Sequence, residues 1–383
     1  MDLLKEKIKA ETLRLGFSFI GFSKPEQTPH FPQFEMWIKK GSHNGLDYLN
    51  KKYVMDARRQ PSILLNNTGT VITLGISYQV QEDLVSSENL NTINSGYLAA
   101  YACLPDYHHL LKEMSKELLS FIKRIQSPLI KSKFFVDSGP VMEKDFAYLS
   151  GLGWIGKNSL FISPTFGSYC LLGCLFIDLK LQPDQPDETD LCGDCEICIK
   201  TCPTGAINNN RTLNVSQCIS NLTTSHKGVI PFELRHSIGK NVFGCDICQK
   251  VCPLNRTLLN NETRQDFAIK PIIENRIDLL SELLFCEKEY QSKYSKTPVA
   301  KLPHELFLRN LITVIGNSGL MEFIDPLTKM LRDHPSPIIR ATTAWAIAAL
   351  DSNQSRDILL NVMNQEIEVE VKNEIEKLTG YLR

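Results

Sequence analysis

The sequence predicts an α+β fold in three parts: a mixed α/β domain over residues 1–185, a cysteine-rich domain over 186–260 and an α-helical domain over 261–383. Three observations carry this division. Helical periodicity and short β-rich runs alternate up to about residue 180, eight of the twelve cysteines fall between Cys192 and Cys252, and the remainder reads as short helices broken by Gly and Pro.

The opening residues (MDLLKEKIKAETLRLGF) interleave lysines and apolar residues with Glu6 and Glu11, an amphipathic helix pattern without the apolar stretch of a signal peptide. Leu110, Leu111, Met114, Leu118, Leu119, Ile122 and Ile125 recur at helical spacing, which predicts a helix over His108–Ile125. Thr70–Tyr78, Phe134–Val136 and Cys170–Ile177 are short, β-rich and apolar, and predict buried strands of an α/β sandwich. Gln182–Asp190 (QPDQPDETD) is Pro-rich, acidic and aperiodic, as a linker is. From about Thr297 onward, Leu306 to Ile315, Pro326–Met330, Ile338–Leu350 and Ile358–Val362 read as helices separated at Gly316, Gly319, Pro335 and Pro337, in the manner of HEAT-like hairpins.

Hydrophobic residues make up 43% and charged residues 22%, ordinary for a globular chain. The longest apolar run, Cys170–Ile177, is too short to span a membrane, so a cytoplasmic protein without membrane contact is expected. Disulfides rarely persist in that compartment, and cysteines clustered at short fixed spacings point to metal instead. A formal net charge of -1 leaves any nucleic-acid surface to be local.

Cys192-x2-Cys195-x2-Cys198-x3-Cys202-Pro203 matches the bacterial-ferredoxin run without a gap. Three cysteines at this spacing wrap one loop around three irons of a cubane, and the fourth is expected to open a helix and carry its thiolate to a second cluster, with Pro203 at the helix start. The second run, Cys245-x2-Cys248-x3-Cys252-Pro253, lacks its first cysteine because Val242 stands there, and Cys218 remains to supply it. The expected sets are Cys192, Cys195, Cys198 and Cys252 for one 4Fe-4S cluster and Cys202, Cys218, Cys245 and Cys248 for the other. Structural zinc also uses C-x2-C pairs; eight cysteines in a crossed pattern, with Pro after each final one, favour clusters. A small ferredoxin needs little more than this block, so the clusters are expected to feed a reaction elsewhere in the chain.

Tyr101–His108 (YACLPDYH), Val136–Pro140 (VDSGP), Gly151–Asn158 (GLGWIGKN), the eight cysteines and Gly244–Pro253, in that order, resemble the cobalamin-dependent epoxyqueuosine reductases, and with the helical tail the likeness covers nearly the whole chain. The resemblance implies a cobalamin-binding N-terminal domain with the cofactor base-off, electrons from a low-potential donor passing through two 4Fe-4S clusters to cobalt, and a monomer. The implied substrate is the epoxide on the wobble base of a tRNA anticodon stem-loop, converted with two electrons and two protons to queuosine and water.

Such a reaction needs a proton source as well as a strong one-electron donor. Asp137 matches the family's proton-donor position in VDSGP, and following Phe134–Val136 it is expected at a buried strand's end, where desolvation favours the neutral acid; alternatively it is a turn carboxylate capping Ser138–Gly139. The resemblance further implies cofactor contacts at Arg58, Cys103, Asn158, Ser159, Ile162, Ser220 and Asp246. Arg58 would meet a phosphate of cobalamin or tRNA, or be a solvated charge; Cys103 would face the corrin or lie in the core, while Cys170, Cys174 and Cys286 read as core. His108 and His109 are assigned substrate or structural roles, not cobalt ligation. Gly151-x-Gly153-x-x-Gly156 has dinucleotide spacing, but Trp154 would crowd a pyrophosphate turn, so NAD is not expected.

For tRNA, Leu222–Pro231 with His226 and Lys227 is expected as an exposed loop suited to unstacked anticodon bases. Arg211, Arg235, Lys240, Lys250 and Arg256 add charge around it, and Lys51, Lys52, Arg58 and Arg59 offer a second strip. The competing functions are a reductive dehalogenase, and an electron carrier or tRNA-binding module without turnover.

Overall fold

The structure is a computed structural model that describes residues 2–78, 94–137, 139–255, 269–350 and 354–381. Ser138, Arg256 and the expected boundary at 260/261 lie outside the described residues. The chain divides into two compact units, each assembled from three separate stretches: residues 1–80, 104–216 and 246–271 form the first, and 81–103, 217–245 and 272–383 the second.

The first unit is built on a four-stranded antiparallel sheet in the order β1-β2-β7-β4, with β1 at Phe19–Ser23, β2 at Thr70–Ser77, β4 at Ser132–Phe135 and β7 at Cys170–Ile177. Both faces are covered, which is why all eight residues of β2 are buried, Thr70, Thr73 and Ser77 included. Val71, Cys174 and Phe176 pack with Phe146 of α5 (Glu143–Leu149). Phe22, opposite Ile72, instead meets Lys5 of α1 (Asp2–Arg14), whose ammonium lies 4.9 Å from the ring centroid. Successive residues of a strand point to opposite faces, so Ile72, Leu74 and Ile76 share the α1 side, where α4 (Tyr107–Ile125) also packs. Gly75 has to be Gly: a Cβ there would lie 1.8 Å from the Phe19 ring across the ladder.

The expected helix at His108 begins one residue earlier, and the expected strand Phe134–Val136 shifts to Ser132–Phe135. The sandwich is an antiparallel α+β arrangement. Residues 182–190 form no regular structure, as expected of a linker, yet they are pinned down. Asp184 accepts from the Phe22 amide at 2.9 Å and from Lys5 at 2.5 Å, and its own amide reaches the Phe22 carbonyl at 2.8 Å.

In the second unit, β3 (Ser95–Leu98) lies between β8 (Asn241–Phe243), parallel to it, and β9 (Arg276–Asp278), antiparallel. The tail is helical: α11 (His304–Gly316), α12 (Ile324–Asp333), α13 (Pro337–Leu350), α14 (Ser355–Met363) and α15 (Val369–Tyr381), with α13 packed against α11, α12 and α15. Gly316 lets α11 approach α13, since a Cβ would meet Trp345 at 2.6 Å and the Ala346 backbone at 2.9 Å. Among the described residues no helix is long and apolar enough to cross a membrane.

Arg340 on α13 holds Glu366 through bonds of 2.7 and 2.9 Å, and the Ile367 and Glu368 amides add bonds of 2.9 and 3.0 Å. The Arg340 bonds, against some desolvation, hold the carboxyl down at about 2. A carboxylate depressed on folding stabilises above its unfolded pKa, so this contribution is present above about pH 4.5 and is lost as pH falls towards 2. Arg340→Gln is therefore expected to flatten the loss of stability across that window in acid-unfolding curves; an unchanged slope would exclude the assignment.

Candidate active site and cluster loops

Asp137 follows β4 and turns the chain through a left-handed conformation, with φ at +56°. Its Oδ2 receives the Tyr107 hydroxyl at 2.9 Å and lies 3.2 Å from Nε2 of His108. Both partners sit in the first turn of α4, where Asp106 as N-cap accepts from the His108 amide at 3.1 Å and contacts His108 Nδ1 at 2.8 Å. The two rings stack with centroids 4.1 Å apart. His108 thus bridges the two carboxyls, Nδ1 towards Asp106 and Nε2 towards Asp137. Burial does not contribute as expected. The Asp137 side chain is 63% exposed, because the turn carries it out of the sheet, and its carboxyl is held by hydrogen bonds rather than by burial.

Close in sequence, at the start of α5, lies an acid that was not anticipated. Glu143 is pushed up to about 8, first by burial and further by the charge of Asp137, against the pull of its own backbone amide, Arg58 and Lys144. Its Oε1 is sealed from water with no hydrogen-bond partner among the described residues, and so is Nε of Arg58. Arg58, on α3 (Lys52–Arg59), is not a solvated charge: its guanidinium lies 4.6 Å from the Phe34 ring centroid, and burial lowers its pKa. An orphaned donor and an orphaned acceptor or acid, both buried, fit a ligand rich in amides or phosphates. Arg59 is bonded to Glu35, so the expected basic strip keeps only Lys51 and Lys52 exposed and uncommitted to that pair. In a helix's first turn Glu143 looks in sequence like a complement to the helix dipole; nothing local marks it as buried.

Cofactor contacts expected elsewhere in this unit are engaged internally. Asn158 Oδ1 accepts from the Leu160 amide at 3.2 Å, the Ser159 hydroxyl donates to the Arg211 carbonyl at 2.6 Å, and Ile162 is buried in β6 (Phe161–Ile162). Asp246 is buried and accepts from Gln249 Nε2 at 3.1 Å. In the second unit, Cys103 is buried with its thiol 3.7 Å from the Ala99 carbonyl, and Ser220 lies on α7 (Ile219–Thr224) with its carbonyl taken by the Thr223 and Thr224 hydroxyls. Cys174 is core as expected and Cys170 half-buried, whereas Cys286 is exposed at a helix N-cap.

All eight block cysteines are half-buried. Burial raises the Cys198 thiol, and Cys192, Cys252 and Cys195 raise it further. Cys252 is likewise raised by burial and by Cys192 and Cys195, against backbone amides of Leu254 and Asn255 that donate to it. These four thiols thus lie within electrostatic reach of one another. One expected detail fails. Cys202 does not open a helix but closes α6 (Ile197–Thr201), whereas Pro253 does begin the helical residues 253–255.

On the second unit, the stretch expected to be an exposed loop begins with the last three residues of a helix. Leu222 and Thr223 are buried in α7, while Lys227 is exposed and His226 is half-buried, its Nε2 3.1 Å from the Val229 carbonyl. Arg309 of α11, which in sequence reads as a surface charge, is buried and gathers the stretch from beneath. It donates to the carbonyls of Leu222 at 2.9 Å, His226 at 2.8 Å and Gly228 at 2.6 Å, and its neighbour Asn310 reaches the Thr223 and Val242 carbonyls at 2.7 and 2.9 Å. Arg235 is also buried, paired with Glu374 at 2.5 Å, and is withdrawn from any RNA-facing set.

The fold and cysteine loops define an iron–sulfur oxidoreductase: a family model described as 4Fe-4S double cluster binding domain matches residues 191–255. A second, described as Epoxyqueuosine reductase QueG, DUF1730, matches residues 58–138. The epoxyqueuosine reductase of Pseudomonas aeruginosa is 36% identical over 346 residues, spanning 90% of this chain and 94% of its own. The chain belongs to the epoxyqueuosine reductase family. Among solved structures, an epoxyqueuosine reductase with an epoxyqueuosine-modified tRNA-Tyr stem loop is 28% identical with a TM-score of 0.88, covering 99% of both chains. The Bacillus subtilis enzyme, captured with its aspartate catalytic loop swung out of the active site, is 27% identical with a TM-score of 0.88, covering 100% of this chain and 99% of its own.

Proposed function

We propose that this chain reduces the epoxide of epoxyqueuosine, at the wobble position of a tRNA anticodon stem-loop, to queuosine. The observation that carries the reading is the Asp137 carboxyl at the end of β4, in hydrogen-bonding contact with His108 and bonded to Tyr107, within a chain alike along its whole length to an enzyme holding such a stem loop.

Two 4Fe-4S clusters and base-off cobalamin, when bound, supply the two electrons one at a time from a low-potential donor. Cys192, Cys195, Cys198 and Cys252 hold one cluster, and Cys202, Cys218, Cys245 and Cys248 the other. Arg58 and Glu143, with orphaned buried atoms, are the residues best fitted to hold polar groups of the corrin periphery. Asp137 delivers a proton to the epoxide oxygen as its bond to carbon breaks, Tyr107 fixes the carboxyl, and His108 restores the proton. A second proton completes the water that leaves. His226 and Lys227 face the stem-loop from the ledge that Arg309 supports. In this reading residues 1–185 are the cobalamin-binding and catalytic part, 186–260 the ferredoxin-like part and 261–383 a HEAT-like support, acting as a cytoplasmic monomer.

The test is direct. Anaerobically reconstituted protein, with cobalamin and a low-potential reductant, is incubated with epoxide-bearing tRNA, and the digested nucleosides are weighed. Loss of one oxygen mass is expected. Substrate returned intact by protein with filled clusters would leave only an electron carrier or RNA-binding module.

A further inference from the structure

The Gly151–Asn158 stretch contains a residue to which neither the family reading nor the proposed reaction gives a task. Trp154, in β5 (Trp154–Ile155), is 5% exposed, and its indole N–H points at Sγ of Cys192, 3.4 Å away. A buried indole needs an acceptor for its one donor, and here the acceptor is a cysteine of the first ferredoxin run.

This contact belongs to a closed ring of interactions, so it is held. β5 pairs with β6, Trp154 opposite Ile162, and the hairpin is tight enough that a Cβ on Gly153, whose φ is +153°, would lie 2.1 Å from the Ile162 carbonyl oxygen. Ile155, the next residue, gives its carbonyl to Arg211. The same guanidinium binds Asp190, whose other oxygen accepts the Cys192 amide at 2.9 Å. Arg211 itself adopts a left-handed backbone, with φ at +64°, and its carbonyl takes the Ser159 hydroxyl. Indole, Cys192, Asp190, Arg211 and Ile155 thus fix one another. Sequence alone gave no sign of this, because Trp154 and Cys192 are 38 residues apart.

We propose that Trp154 sets the reduction potential of the cluster ligated by Cys192, through its N–H···S bond, and that Arg211 and Asp190 are positioning residues that hold donor and thiolate in register. The inference rests on Cys192 being a cluster ligand. Hydrogen bonds to ligand sulfurs are among the levers that set such potentials. The reduced cluster carries one more negative charge than the oxidised one, so a donor at its sulfur favours reduction and makes the midpoint less negative. Electrons arriving from the donor then settle on this cluster more readily.

Trp154→Phe keeps most of the ring volume and deletes the donor. In holoprotein with both clusters confirmed by iron and sulfide content, an EPR-monitored redox titration is expected to show one midpoint moved to more negative potential. The expected size is about a tenfold weaker reduction equilibrium, about 59 mV for one electron, with the other midpoint unmoved. Two unchanged midpoints with full clusters would overturn the proposal. If the variant does not assemble its clusters, wild-type holoprotein grown with 15N-indole tryptophan decides: pulsed EPR of the reduced cluster must show a coupled indole nitrogen, and its absence overturns the proposal equally. Failure of the underlying ligand assignment looks different, since Cys192→Ala would then retain its full iron content.

Discussion

Asp137→Asn is expected to retain both clusters and the capacity to bind cobalamin while turnover falls by about 100- to 10,000-fold, the range that a positioned proton donor contributes. The substitution keeps size and polarity, so the Tyr107 hydroxyl can still donate to the side-chain oxygen, and what is lost is the carboxyl as a proton donor. Iron content, the visible spectrum and the Kd for the stem-loop should therefore match wild type, with the loss confined to kcat. His108→Gln is the informative companion. If His108 restores the proton, this variant should slow successive turnovers and leave a single turnover largely intact. An Asp137→Asn enzyme with wild-type kcat would remove Asp137 from the chemistry altogether.

Arg309→Met is expected to lower the unfolding temperature more than any other single change considered for the second unit. Methionine fills much of the same space but gives no hydrogen bonds, so the buried carbonyl of Leu222 and the part-buried carbonyls of His226 and Gly228 would lose their donor. At about 1–3 kcal/mol for a buried unsatisfied group, the Leu222 carbonyl alone carries a cost of that order, and the two part-buried carbonyls add less. Desolvation lowers the guanidinium only to about 10, so it stays charged at neutral pH, and Arg309→Lys should recover part of the loss because a single ammonium can still satisfy some of the carbonyls. Thermal unfolding of holoprotein measures the first effect, and proteolytic cutting after exposed Lys227 measures loosening of the stretch. A variant with wild-type unfolding temperature and no added cleavage would show that the stretch holds without Arg309.

The elements that sequence located best are those whose signal is local. Cys170–Ile177 is a strand to the residue because eight consecutive apolar positions have both faces buried, and α4 follows from its spacing of leucines and isoleucines. The cysteine ladder is legible because ligand spacing is a covalent property of the chain. What stayed hidden depends on partners far away in sequence. The β8-β3-β9 sheet joins strands from three distant stretches, and short strands such as Ser95–Leu98 have too few residues to show a period. The burial of Glu143 and Arg309 comes from covering elements, and both look like ordinary surface charges in their own windows. For Asp137 the expected environment was wrong: proximity to an apolar strand suggested a buried acid, and the left-handed turn carried it outward.

Neither compact unit is a continuous piece of chain. A nascent polypeptide leaving the ribosome cannot complete the first unit until residues 246–271 have emerged, and by then the first ferredoxin run has long been synthesised. Its four cysteines are made well before Cys252, the last cysteine of the block, has emerged. Closure through such sequence-distant contacts is slow, so cluster loading belongs after translation, and shortened versions cut at apparent domain borders should emerge as insoluble fragments.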